Sequence, residues 1–440
     1  MSVLKDKLVV ENTNRLSSYF PARTNDSADA YDWGLAQALF VRDLYRKMPI
    51  TGGLESYIKA AEKVFADCLD DDDFWPHIRE MYFDGDAIYK LTPESLLFRL
   101  EGIKASASQH RLGRLFSSLL QGFRVDMTPH ASSNFLDRKV IETLQEEGLK
   151  ELDKERFRPG AGERAWLPFL TKLFQQDAGF LAKRPEYMLE QLESFLKLYG
   201  YLYTAQLTLN IQGWAAGKPV ARPLYFIMEH EVASKERAML TQYGHKKVFE
   251  NLHYIFPYLV ANEALQRLGE DTGNRLRPLW QLNERLEEKD IQQLQDFAFE
   301  FARKREYEMP DVPEEADATW WLGTILKLYS TQFEKKHSRE SANKKFVKSA
   351  EDNLCGTFVR SRGRTGKVLV MNQDYLSLLT NLAIGEQDKL RLHELLIAFK
   401  ARGVYFDKHS QQALIEFYER MGNVERMSDS GDAVYVRKTV

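Results

Sequence analysis

The 440-residue chain has little cysteine, no long apolar run and no excess of either charge. Its two cysteines, Cys68 and Cys355, are too few and too far apart for a disulfide framework, which is typical of a reducing compartment. No apolar stretch reaches the roughly 20 residues that a membrane-spanning helix needs, and residues 1–10 lack the apolar core of a secretory signal. The sequence therefore predicts a cytoplasmic protein without a membrane partner.

Sequence motifs for common enzyme chemistries are also absent. A phosphate-binding loop needs a glycine five residues before its Gly-Lys pair, but Ser361 stands at that distance from Gly366-Lys367. His230-Glu231 is not followed by the second histidine of a zinc-protease motif. We therefore expect no ATPase activity, no metal ion and no cofactor in this chain.

One carboxylate pattern supports an enzymatic alternative. Pro310-Asp311 followed by Glu334-Lys335-Lys336 matches the Pro-Asp…Glu-x-Lys pattern of many DNA nucleases. That chemistry needs both carboxylates on neighbouring strands with a metal ion between them. Here the apolar spacing between Asp311 and Glu334 is helical, and Asp311 falls in a predicted linker. A metal-dependent nuclease subunit using Asp311, Glu334 and Lys336 is therefore an alternative and not the main interpretation.

Charge is distributed unevenly along the chain although the net charge is only −3. Residues 1–333 carry about −8, and residues 334–440 carry about +5. Residues 334–367 contain ten basic and four acidic side chains. Within them, the Arg/Gly/Ser/Thr composition of 360–367 is typical of a loop that lies along a phosphate backbone. The alternative is a solvated helix face followed by a hairpin loop. The candidate phosphate contacts are Lys344, Lys345, Arg360, Arg362, Arg364 and Lys367.

Residues 372–440 show the element order of a winged helix, which is helix, short strand, helix, helix, hairpin. Asn372 and Asp407 are side chains that cap helix N-termini, and Gly403 and Gly422 are glycines that end helices. The segments 424–427 and 433–436 flank a turn rich in Ser, Asp and Gly and are typical of a hairpin. In DNA readers with a helix-turn-helix, the third helix of this arrangement lies in the major groove.

The outward face of that third helix is only partly suited to DNA. Its first turn carries side chains that can contact phosphates or bases, whereas Glu416 and Glu419 repel a polyanion unless they accept from cytosine. DNA contact and protein docking are therefore both open for this face. The candidate DNA contacts here are Lys408, His409, Gln412, Arg420 and Arg426.

The first 333 residues are predicted to be overwhelmingly helical, because apolar residues recur at spacings of three and four. The predicted helices are 31–47, 54–68, 135–156, 166–174, 185–213, 246–269 with a kink at Pro257, and 290–308. We predict a mainly α chain of four parts. These are a helical domain (1–158), a helical domain with long helices (159–309), a linker with a basic helical segment (310–356) and a winged-helix domain (357–440).

The C-terminal end resembles the closing segment of the DptG (DndG) family. The resemblance lies in Ile384-Gly385-Glu386, in the Lys-Ala-Arg-Gly-Val-Tyr-Phe-Asp of 400–407 and in the Ser-Asp-Ser-Gly-Asp-Ala-Val-Tyr-Val of 428–436. It implies a subunit of a bacterial DNA phosphorothioation-dependent restriction system, an antiviral defence, with DptF and the helicase-like ATPase DptH as partners. That apparatus attacks DNA that lacks backbone sulfur, and the resemblance supplies no catalytic residue.

Together these patterns predict a non-catalytic, DNA-contacting adaptor subunit of such a complex. Its helical N-terminal part would be a platform for protein partners, joined through the basic segment to the winged helix. The alternatives are the nuclease subunit described above and a purely structural scaffold whose winged helix binds only protein.

Overall fold

The computed structural model describes residues 3–13, 16, 18, 20–24, 31–68, 74–101, 107–127, 134–152, 163–234, 236–267, 276–335, 337, 339–427 and 433–440. The chain is mainly helical with short strands in small sheets, which confirms the predicted fold class at that level. It divides into two compact units. Residues 31–160 and 174–196 form the helical unit, and residues 1–30, 161–173 and 197–439 form the mixed unit. The four-part division predicted from the sequence is a finer one and stays a prediction.

The helical unit packs around a cluster of phenylalanine rings. Phe174 and Phe195 stack at 5.1 Å between ring centroids, and Phe40 and Phe116 contact the same cluster. The unit's elements are α1 (Trp33–Tyr45), β1 (Lys47–Pro49), α2 (Gly53–Ala66), α3 (Trp75–Tyr82), α4 (Ala107–Leu120), α5 (Phe135–Thr143) and β2 (Leu149–Glu151), with parts of α6 (Pro168–Ala182) and α7 (Pro185–Ile211).

The predicted helix over 135–156 is wrong in its second half. Helix α5 ends at Thr143, a single π-helical turn covers 144–148, and β2 then pairs antiparallel with β1. Gly148 lies at the switch from helix to strand, and its carbonyl accepts from the amide of Ile50 at 3.1 Å. Glycine is a poor helix former, so this backbone pairing outweighs helix continuation there. Residues 153–156 lie outside the described residues.

The mixed unit contains the remaining helices and strands. They are β3 (Leu224–Met228), α8 (Ala238–Gln242), α9 (His245–Leu252), α10 (Ile255–Leu265), α11 (Leu279–Asn283), α12 (Glu288–Arg305), α13 (Ala318–Thr331), α14 (Glu340–Ala350), β4 (Val359–Ser361), β5 (Lys367–Met371), α15 (Gln373–Ile384), β6 (Lys389–Arg391), α16 (Leu392–Ala401), β7 (Val404–Tyr405), α17 (Lys408–Met421), β8 (Val424–Met427) and β9 (Ala433–Arg437). The predicted helices 185–213 and 290–308 correspond to α7 and α12.

The predicted kink at Pro257 is wrong, because 246–269 contains two helices that separate earlier. Helix α9 ends at Leu252 and α10 begins at Ile255. Pro257 lies in the first turn of α10, where backbone N–H groups have no intrahelical acceptor and the missing proline N–H costs little. The proline therefore starts a helix here instead of bending one.

A four-stranded sheet, which the sequence did not predict, joins distant parts of the mixed unit. Its strand order is β4-β5-β3-β7, and the central strand β3 runs parallel to both β5 and β7. The buried apolar sequence Leu-Tyr-Phe-Ile-Met of β3 is typical of a strand covered on both faces. Three of the four strands come from residues 357–440, so that region shares a sheet with residues 224–228.

A three-stranded antiparallel sheet of order β6-β9-β8 accompanies the last three helices. Strand β6 lies between α15 and α16 and pairs with β9, while the β8–β9 hairpin follows α17. The predicted caps are confirmed, since Asn372 accepts from the amide of Tyr375 and Asp407 accepts from the amide of Ser410. The predicted turn at 428–432 lies outside the described residues.

Gly403 and Gly422 offer a matched pair of substitutions. Both have a left-handed backbone (φ +83° and +71°), but a Cβ on Gly403 would lie 2.0 Å from Gln206 Nε2, whereas a Cβ on Gly422 would meet nothing within 4 Å. We expect Gly422→Ala to lower the free energy of unfolding by about 1–2 kcal/mol, from backbone strain alone. Gly403→Ala should lose about 1–3 kcal/mol more through overpacking. Urea unfolding followed by circular dichroism measures both, and equal losses would contradict the close approach of Gln206.

Candidate nucleic-acid interface

The N-terminus of helix α17 is fixed by a buried cluster of charged side chains. The Arg237 guanidinium donates to both carboxylate oxygens of Asp407 at 2.7 Å and lies 2.9 Å from Glu231. Ser410, in the first turn of α17, donates to Glu231 at 2.9 Å and accepts from Arg237 at 2.6 Å. Asp407 follows β7 and Glu231 follows β3, so the cluster lies at the carboxyl edge of two neighbouring parallel strands.

Burial and hydrogen bonding shift the pKa of Asp407 in opposite directions. Burial alone would raise the pKa of Asp407, but hydrogen bonds from Arg237 and Ser410 outweigh burial and hold it below its ordinary value. Burial lowers the pKa of Arg237, and its contacts with Asp407 and Glu231 more than compensate. Asp407 and Arg237 are therefore both charged at neutral pH.

Several side chains in the first turns of α17 remain exposed beside this cluster. Lys408, His409 and Gln412 are all exposed, as the sequence predicted for a contact surface. His409 Nδ1 lies 3.3 Å from a buried carboxylate oxygen of Glu231, while its side chain remains 69% exposed. The face therefore presents polar and cationic groups next to the buried cluster.

The acids further along α17 are not equivalent. Arg426 on β8 forms an ion pair with Glu419, which removes much of that carboxylate's repulsion toward a polyanion. Glu416 is exposed and has no such partner among the described residues. Arg420 is exposed on the same helix. Glu416 is therefore the main obstacle to a polyanion on this face.

The outer face of the three-stranded sheet adds cations that the sequence did not single out. Lys389 pairs across the sheet with Arg437, and Arg391 pairs with Tyr435. These four residues, together with Glu425 on β8, form what we call the outer sheet face. The alternation of Lys389-Leu390-Arg391 could have indicated it, because Leu390 is buried and its two neighbours point the other way.

Cations on the outer sheet face surround one carboxylate and one aromatic ring. Lys389 and Arg437 lie 2.8 and 2.7 Å from Glu425, and their hydrogen bonds lower the pKa of Glu425. Arg391 Nε donates to the Tyr435 hydroxyl at 2.8 Å, and Lys389 Nζ lies 5.1 Å from the Tyr435 ring centroid. The carboxylate of Glu394 also lies near Arg391, since it accepts from the Arg391 amide at 2.9 Å. Three cations against two carboxylates still leave a positive excess around an aromatic surface, a combination that suits a nucleic-acid strand.

The basic segment 360–367 is a hairpin, and its cations Arg360, Arg362 and Lys367 have partners within the chain. Arg360 donates to backbone carbonyls, including that of Val359 at 2.9 Å, and Arg362 donates to the carbonyl of Glu229 at 2.5 Å. Lys367 forms an ion pair with Glu351 at 2.7 Å. Phosphate binding by this segment stays a prediction, and it would compete with these contacts. The Arg364 side chain lies outside the described residues.

The basic helix α14 borders an open groove of about 750 Å³ with mixed charge. Lys344 pairs with Glu340 at 2.5 Å, and Lys345 is exposed. The groove is lined by Lys335, Lys344 and Lys348 but also by Glu250, Glu334, Glu340 and Glu351. Its lining therefore has no positive excess to attract a phosphate backbone.

The two carboxylates of the nuclease alternative do not lie on strands. Asp311 lies in the irregular segment between α12 and α13, and Glu334 lies in a turn after α13. Lys336 is outside the described residues. In the part of the chain that the structure describes, no three His, Cys, Asp or Glu side chains are grouped so as to hold a metal ion.

Comparison with known proteins adds no assignment, since no protein-family model and no curated protein matches the chain. Among the described residues, no helix is long and apolar enough to cross a membrane.

Arg237→Met tests whether the buried cluster holds α17. Breaking a buried ion pair by removing one partner costs about 3–5 kcal/mol, because the remaining charges are left unpaired. Urea unfolding at pH 7 should show this loss in the free energy of unfolding. Arg420→Ala, an exposed arginine on the same helix, should change it by less than about 0.5 kcal/mol.

The same variant should also show a changed response to acid. A lowered folded-state pKa stabilises the protein above the ordinary value of 3.8 and this contribution is lost as pH falls through the folded value. The difference between parent and Arg237→Met should therefore shrink below about pH 4. A loss under about 1 kcal/mol at pH 7 would contradict the anchoring role.

Proposed function

We propose that the chain is a non-catalytic, DNA-contacting adaptor subunit of a bacterial phosphorothioation-dependent restriction complex, and that its C-terminal part is a winged helix. The resemblance of residues 384–386, 400–407 and 428–436 to the DptG family supports the assignment to such a complex. By that resemblance the protein partners are DptF and DptH. The element order from α15 to β9, with β6 paired to the last strand of the hairpin, supports the winged helix.

The outer sheet face is the observation that carries the DNA contact. Lys389, Arg391 and Arg437 outnumber the nearby carboxylates of Glu425 and Glu394, and Lys389 and Arg391 flank the ring of Tyr435. Cations of this kind attract the phosphate backbone irrespective of sequence, and an aromatic ring can stack on a base. Lys408 and Gln412 on α17 extend the polar surface available to DNA, while Glu416 limits it.

Exposed apolar side chains favour the scaffold alternative for the same region. Ile397 on α16 is 60% exposed and Met421 on α17 is 50% exposed. Side chains of this type contribute to protein interfaces more than to phosphate contacts. A protein partner could therefore use α16 and the end of α17 while DNA uses the outer sheet face.

Binding to a short duplex, followed by fluorescence anisotropy across a range of salt concentrations, tests the DNA contact. Arg391→Ala and Lys408→Ala should each weaken binding to every sequence alike and reduce the salt slope by about 0.9 for each phosphate that is no longer neutralised. Glu416→Lys should strengthen binding, because it removes like-charge repulsion. Lys327→Ala, an exposed lysine on α13, is the matched control and should bind as the parent does.

Unchanged curves at low salt for both alanine variants would contradict DNA contact through these surfaces. If Glu416→Lys disrupts the complex with a protein partner but leaves the DNA affinity unaltered, the result would favour the protein-binding scaffold instead.

A further inference from the structure

Three tyrosine rings meet at the β7 edge of the four-stranded sheet, on residues that the surfaces described above do not use. Tyr225 on β3 and Tyr405 on β7 are partners in the strand register, and their ring centroids are 5.6 Å apart. The ring of Tyr243, the residue after α8, lies 6.2 Å from that of Tyr225, and its backbone carbonyl accepts from the Tyr225 amide at 2.9 Å. We call these three residues the tyrosine cluster.

The sheet fixes one ring of the tyrosine cluster and leaves the others open to solvent. Tyr225 packs against a buried apolar group that includes Ile227 and Leu240, which accounts for its partial burial. Tyr243 is 40% exposed, and Tyr405 is partly buried on the edge strand. Core packing explains Tyr225 but not the neighbouring exposed ring of Tyr243, and adjoining aromatic rings at a surface are typical of a contact site.

The hydroxyl groups of the tyrosine cluster are available to a ligand. None of the three has a hydrogen-bond partner among the described residues. Burial raises the pKa of Tyr225, and Tyr405 and Asp407 raise it further, so this hydroxyl keeps its proton at neutral pH. Each hydroxyl can therefore donate one hydrogen bond and accept others at the margin of the ring surface.

A cation borders the tyrosine cluster. Lys400 Nζ, on α16, lies 5.8 Å from the Tyr405 ring centroid, and Lys400 is exposed without an ion-pair partner in the part of the chain that the structure describes. Asp407, the acid that acts on Tyr225, already accepts two hydrogen bonds from Arg237. Lys400 would repel an organic cation placed on these rings, so the chemistry favours a ligand that is both aromatic and anionic.

Aromatic faces beside a lysine are the groups with which proteins hold single-stranded nucleic acid. We propose that the tyrosine cluster stacks an unpaired base of a nucleic-acid strand and that Lys400 contacts a phosphate of the same strand. The bases of a duplex are stacked on one another and do not offer their faces, so this site binds a single strand in preference to a duplex. The inference rests on the proposed function for its class of ligand, nucleic acid, and goes beyond it by naming an unpaired base as the group that is bound.

Fluorescence anisotropy of a labelled single-stranded oligothymidine, titrated with the full chain, tests this site. Tyr243→Ala removes the exposed ring but not the backbone contact to Tyr225, so it should weaken strand binding about five- to hundredfold. Tyr243→Phe keeps the aromatic face and should bind within about twofold of the parent. Lys400→Ala should reduce the salt slope by about 0.7, the value for one phosphate of a single strand. Tyr243→Ala should leave the affinity for a duplex unchanged.

Phe299→Ala, on α12, is the matched control and should bind the strand as the parent does. Phe299 is 43% exposed and packs against Trp321 much as Tyr243 packs against Tyr225. A parent that does not bind oligothymidine, or a Tyr243→Ala variant with the parent's strand affinity, overturns the site even if the duplex binds normally. Loss of a protein complex in Tyr243→Ala at unchanged strand affinity also overturns it and assigns the rings to a protein partner. Strand binding that depends on Tyr243 in a chain that binds no duplex would support the site and contradict only the duplex contact, so the two proposals fail separately.

Discussion

The pairing of Arg237 with Glu231 and Asp407 is the interaction on which the C-terminal part of the molecule depends. It joins the loop after β3 to the first turn of α17, where three charged groups and Ser410 satisfy one another away from water. Such a cluster contributes little net stability compared with an apolar core. An arrangement that separated its side chains would, however, leave buried charges unpaired and would cost free energy. The position of α17, and hence the direction in which Lys408 and Gln412 point, follows from it.

The four-stranded sheet also joins the C-terminal part of the chain to the rest of the mixed unit. Strand β3 lies between β5 and β7, so residues 359–405 complete a sheet whose centre is at 224–228. Removing residues 357–440 would leave β3 without neighbours and Arg237 without Asp407. A C-terminal truncation would therefore disturb the preceding chain, and single substitutions on exposed positions separate contact from folding more cleanly.

Caps and short-range patterns in the sequence predicted local structure well, but they did not predict which distant segments pair with one another. The caps Asn372 and Asp407 and the hairpin strands predicted at 424–427 and 433–436 follow from residue chemistry within a few positions. Strand β3 was missed because five apolar residues fit a buried helix segment as well as a strand. The partner of Arg362 is the carbonyl of Glu229 in a distant segment, so the charge run alone could not show that this cation already has a contact. The partner of Lys367, Glu351, lies within the run, but the pairing depends on the fold that brings β5 beside it. The alternation of Lys389-Leu390-Arg391 indicates only that Lys389 and Arg391 share a face, and the register of β6 on β9 is needed to bring Arg437 and Tyr435 beside them.

Hydrogen–deuterium exchange of the full chain, with and without a saturating DNA duplex at low salt, tests the central claim most directly. If the C-terminal part contacts DNA as proposed, amides of 389–391, the first turns of α17 and the strands β8 and β9 should exchange more slowly with DNA present. The amides of α13 should be unaffected. Equal exchange in the C-terminal segments with and without DNA, under conditions where the duplex is bound, would contradict the account.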